Sequence, residues 1–126
     1  MVDKTQIEEG RGFIKQLQDS GFDVNAALWV LPSDDAIWLL YIASDRVNDG
    51  LAQAYREVYG CLSNSQFNCV SRSVIKLISS DHPLALDAIA HRQEVLPFIY
   101  RGRMLGETII ETAYIYPRRP LTAATH

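Results

Sequence analysis

The sequence predicts one α+β domain, on three observations. The chain has 126 residues, 48% of them apolar and 21% charged, which is one domain's worth of core-forming protein. Stretches with helical apolar spacing are interleaved with short apolar runs. Two of those runs, 26–31 and 36–43, flank the turn-forming Pro32-Ser33-Asp34-Asp35 and are apolar at every position. The expected order is α-β-β-α-β-α-β-β. It implies a four- to five-stranded, mostly antiparallel sheet with helices mainly on one face.

Residues 5–20 have helical spacing, with Ile7, Phe13, Ile14 and Leu17 near one face. Thr5 and Glu8 fit a capping box, and Gly21 is a natural stop. Gly10 and Gly12 oppose the helix by about 1 kcal/mol each, so it either frays before Gly12 or is held there by packing.

The runs 26–31 and 36–43 predict a hairpin with a four-residue loop at 32–35. That loop length sets Trp29 opposite Trp38 and Leu28 opposite Leu39. One face then carries Trp29, Leu31, Trp38, Leu40 and Ile42. The other carries Leu28, Val30, Ile37, Leu39 and Tyr41. A half-exposed antiparallel strand alternates polar and apolar residues. This ribbon does not, so both faces require cover.

Ser44 and Asp45 supply cap-type residues before a helix over 47–62, whose stripe is Leu51, Tyr55, Val58, Tyr59 and Leu62. A polar loop follows at 63–66. A third strand falls within 69–78, strongest over 74–78. Residues 79–83, ending in His82-Pro83, read as a helix start, and the helix runs from 84 to about 94. Pro97 ends it. Strands follow at 98–100 and 107–116, and the tail at about 117–126 is expected to be irregular. No internal repeat or linker divides the chain, so 1–126 is a single domain.

The longest strictly apolar run is eight residues, 36–43, against about 20 for a membrane-spanning helix. The N-terminal residues lack the apolar segment of a secretory signal. A cytoplasmic, membrane-free protein is therefore expected, with Cys61 and Cys69 reduced. The net charge of −3 argues against a general nucleic-acid binder. It is unevenly spread. Residues 1–63 hold five Lys/Arg against ten Asp/Glu, and residues 64–126 hold seven against five.

Most chemical motifs fail on context. Gly10-Arg11-Gly12 has no preceding strand and no Gly-Lys-Ser/Thr, so it is not a phosphate loop. A calcium loop starting at Asp45 would place Val47 and Arg56 where oxygen ligands are needed. Cys61, Cys69, His82 and His91 have zinc-ligand chemistry but not zinc-site spacing. Cys69 with His82 would need spatial proximity and a favoured thiolate to act as a nucleophile. Asp34 with Asp35, and Glu107 with Glu111, read as solvated carboxylates. No metal, cofactor or catalytic residue is therefore assigned.

Two candidate surfaces remain. The first is the apolar face of Trp29, Leu31, Trp38, Leu40 and Ile42, which a second copy of the chain could cover. The second is the arginine group Arg101, Arg103, Arg118 and Arg119. Arg101 and Arg103 share a side of an extended segment, and together the four could fork a phosphate or carboxylate. The leading expectation is a small, non-catalytic protein–protein interaction or accessory module that self-associates as a homodimer or joins another protein. The alternative is an anion- or nucleic-acid-binding accessory protein using the arginines, which the acidic balance disfavours. The third reading is a small enzyme with a site the sequence does not reveal. Partner, process, substrate and sheet order are not legible at this level.

Overall fold

The structure, a computed structural model, describes residues 3–32, 37–63, 67–94, 96–101, 104–105 and 108–117. The elements are α1 (Lys4–Asp19), β1 (Ala26–Pro32), β2 (Leu39–Ala43), α2 (Arg46–Asp49), α3 (Leu51–Ser63), β3 (Ile75–Ile78), α4 (Pro83–His91), β4 (Phe98–Arg101), β5 (Met104–Leu105) and β6 (Thr108–Ile115). The α+β class matches the expectation, and the element order follows it with two additions: the second helix is two helices, α2 and α3, and the short strand β5 stands between β4 and β6. The strand order is β3-β2-β1-β6-β4, with β5 pairing the far end of β6. The sheet is mixed rather than wholly antiparallel, because β2 and β3 run parallel. A parallel pair needs a long crossover, and α2 with α3 supply it.

Helix α1 begins earlier than its sequence signature. Asp3, not Thr5, is the N-cap, and a capping box links Asp3 to Gln6. The helix continues through Gly10 because packing holds it. Gly10 lies against the Tyr116 hydroxyl and the Trp29 indole, a closeness that a side chain would prevent. The helix expected over 47–62 is divided. Gly50 has φ +152° and separates α2 from α3. Arg46 bridges this corner to the end of α1, donating to Glu57 at 2.6 Å and to the Gly21 carbonyl at 2.9 Å.

The hairpin register differs from the expected one by two residues. Trp29 is opposite Leu40 and Val30 is opposite Leu39, so Trp29 and Trp38 are not directly paired. The connection is longer than four residues. Its residues 33–36 lie outside those described. An even shift leaves side chains on the same faces, so the face assignments stand.

Both faces of the sheet are covered within the chain. On one, Trp29, Leu40 and Ile42 pack with Phe13 and Leu17 of α1 and Ala54 and Val58 of α3. On the other, Leu28, Val30, Ala113 and Ile115 pack with Leu84, Ala85 and Ala88 of α4. A register irregularity between Leu31 and Pro32 opposes Leu31 to Thr112 but Pro32 to Ile110. The extra β6 residue flips the alternation, so Ile110 joins Ala113 and Ile115 on the α4 face. No helix among the described residues is long and apolar enough to cross a membrane.

Candidate functional site

The residues singled out in the sequence are widely separated in their surroundings. Trp29, Leu40 and Ile42 are fully buried beneath α1 and α3. They form core and offer no exposed surface, because helices of the same chain already cover them. Leu31 and Trp38 are half-buried. Of the arginines, Arg101 is exposed at the end of β4. Arg103, Arg118 and Arg119 lie outside the described residues, as does nearly all of the tail expected to be irregular. His82 is the N-cap of α4, its Nδ1 accepting the Leu84 N–H at 3.0 Å. Cys61 and Cys69 are free and half-buried. Burial pushes the Cys69 thiol above its ordinary range, and the negative charges of Glu9 and Asp3 add to this, which disfavours a nucleophilic thiolate. Among the described residues, no three His, Cys, Asp or Glu side chains are grouped to hold a metal.

The two edges of the sheet are finished differently. An edge strand presents unpaired backbone groups, which natural sheets blunt with charge or cover. At one edge, β3 carries the exposed Lys76, and its Leu77 N–H donates to the Tyr55 hydroxyl of α3 at 3.0 Å. That edge is therefore blocked by a side chain. At the other edge, β4 pairs with β6 on one side only. Its alternation splits its side chains. Phe98 and Tyr100 turn toward α4, where the His91 ring lies 5.4 Å from each. His91 is oriented by its own contact to the Asp87 carbonyl at 2.8 Å, and Tyr100 donates to the Met104 carbonyl. Ile99 and Arg101 turn the opposite way, and Ile99 stands 43% exposed. An open groove follows this edge, lined by His91, Phe98, Ile99, Tyr100 and Arg101.

A second concave feature lies alongside α1. Arg11, Ile14 and Gln18 of α1 face Val24, Asn25, Ala26 and Ala27, where the chain enters β1. Arg92, just past α4, and Tyr116 with Pro117, just past β6, close it. Arg92 donates to the Asn25 carbonyl. Arg11 is near enough to the Tyr114 hydroxyl for its charge to favour the phenolate. Burial raises the Tyr114 phenol even so, against the lowering effect of that guanidinium. Tyr116 is held by two bonds. It accepts from Trp29 Nε1 at 3.0 Å and donates to the Ile7 carbonyl at 2.8 Å.

Sequence reading met Arg11 only inside the rejected Gly10-Arg11-Gly12 loop and did not single out Glu9. Glu9 accepts the backbone N–H groups of Asn68 and Cys69 at 2.8 Å and of Val70 at 3.3 Å, tying the approach to β3 onto α1. Neither residue carries a local signal, since each is one charged residue on a helix surface. Comparison with protein-family models, curated proteins and solved structures finds no match to this chain.

Proposed function

We propose that this protein is an interaction module that self-associates by antiparallel pairing of β4 with β4 of a second copy. The observation that carries the reading is the unequal finish of the two sheet edges. The β3 edge has a lysine and a tyrosine hydroxyl set against further pairing. On β4 the one charge, Arg101, stands at the last residue of the strand, no tyrosine hydroxyl is shown bonded to its outer backbone among the described residues, and mid-strand it presents Ile99. An edge of this kind recruits another strand, and a twofold axis makes one patch complementary to itself. The face expected to mediate association is occupied by α1 and α3, so the edge replaces it as the contact.

Size-exclusion chromatography with light scattering tests the reading. The native chain is expected to shift from monomer to dimer through the micromolar range. Ile99→Lys, which places a charge at the edge, should remain monomeric with an unchanged circular dichroism spectrum. A native chain that stays monomeric at high micromolar concentration refutes self-association. A dimer that survives Ile99→Lys moves the contact away from β4.

A further inference from the structure

We infer that the cleft between α1 and the entry to β1 is a binding site for a small monocarboxylate with an apolar body. The inference uses none of the residues of the β4 edge and stands or falls separately. Among the described residues no ion pair involves Arg11. Arg11 is half-buried and lines the cleft, and its guanidinium carries five donors in a planar fork. That geometry matches a carboxylate held by two parallel bonds.

Arg92 brings a second guanidinium to the same cleft, tethered through the Asn25 carbonyl. Between the two, Ile14, Val24 and Ala26 form an apolar floor. The free space is about 50 Å³, enough for only a few water-sized groups. A carboxylate with a short hydrocarbon chain uses both parts of the cleft. A phosphate dianion has no apolar body for the floor and brings two charges to a half-dry site. A neutral apolar molecule would leave the Arg11 donors unmet, and an amine would be repelled.

Isothermal titration of the full chain with sodium butyrate tests this, with sodium phosphate as the comparison anion. Saturable butyrate binding is expected near about 1 mM, the range open to so small a ligand, with phosphate at least tenfold weaker. Arg11→Gln should weaken butyrate about tenfold or more. Gln18→Glu, on the exposed rim of the cleft, places a competing carboxylate there without disturbing core and should act in the same direction. Thermal melts of both variants establish that they are folded, and Gln18→Glu keeps the test valid should Arg11→Gln not fold. Absence of saturation by butyrate overturns the inference. So does phosphate binding as tight as butyrate, or butyrate binding indifferent to Gln18→Glu.

Discussion

Gly10 sits where α1 comes closest to the sheet. A Cβ there would lie 2.2 Å from the Tyr116 hydroxyl and 2.9 Å from Trp29 Nε1. Two effects oppose each other in Gly10→Ala. Helix propensity favours alanine by about 1 kcal/mol. Relieving the overlap requires moving a rigid, buried phenol whose hydroxyl makes two hydrogen bonds, costing about 1–3 kcal/mol in repacking and about 1 kcal/mol for each strained hydrogen bond. The overlap wins, so Gly10→Ala is expected to lose about 1–2 kcal/mol in urea unfolding. Tyr116→Phe removes the obstructing oxygen, so the double variant should lose less than the sum of the two singles. Additive losses would show that the oxygen is not the obstacle. From sequence, Gly10 reads as a local penalty that packing could offset, but the partner was not legible, because Tyr116 lies just past β6, far along the chain. His82 is the opposite case. Its role follows from its neighbour Pro83, and that role was legible. Arg11 was not, since the cleft it serves is assembled from four distant segments.

At the scale of elements, the informative comparison is between β3 and β4. Tyr55→Phe frees the Leu77 N–H of β3 without changing the ring that packs beside Tyr59, 5.5 Å away. The expected loss is about 1 kcal/mol, with faster amide exchange at Leu77 than in the parent. Unchanged exchange at Leu77 would mean that the hydroxyl does not guard that edge. Both strands were legible as strands, because β-branched and aromatic runs mark them. Their places at the two edges were not, because strand order depends on contacts between remote segments. The hairpin illustrates an intermediate case. Composition located the turn near Pro32 but could not fix the loop length, so the register moved by two. Period-two alternation protected the face assignment from that error, since only an odd slip exchanges faces. The division of the second helix at Gly50 escaped notice because Val47 stands four residues before Leu51 and keeps helical spacing across the break, although Leu51 in that stripe is 50% exposed. Ala54, a small residue outside the stripe, is buried in its place.

For the whole molecule, the doubly apolar ribbon stated the central constraint: each face must be covered. Helix count suggested cover mainly on one side, and the chain answers by sending α4 to the other. Strand β1 therefore joins two cores, Ala27 and Trp29 facing one and Leu28 and Val30 the other. Tyr114 and Tyr116, buried on one side of the sheet, and Tyr41, half-buried on the other, link this architecture to pH. Burial raises the phenols of Tyr116, Tyr114 and Tyr41, with the negative charge of Tyr55 adding at Tyr41 and Arg11 partly offsetting at Tyr114. In the unfolded chain each ionises near 10, the ordinary value. Above that pH the unfolded state has released protons that the folded state still holds. Stability is therefore fully present below about pH 10 and falls as pH rises beyond it, by up to about 1.4 kcal/mol per pH unit for each retained proton. Urea unfolding across an alkaline series should show this decline, and tyrosinate absorbance should show delayed titration that completes when the protein unfolds. Tyr116→Phe lowers stability at neutral pH by leaving the Trp29 N–H without its acceptor, yet it should make the alkaline decline shallower. A variant with the parent's slope would mean that Tyr116 ionises in the folded protein as readily as a tyrosine in water, which its enclosure between α1 and Trp29 forbids.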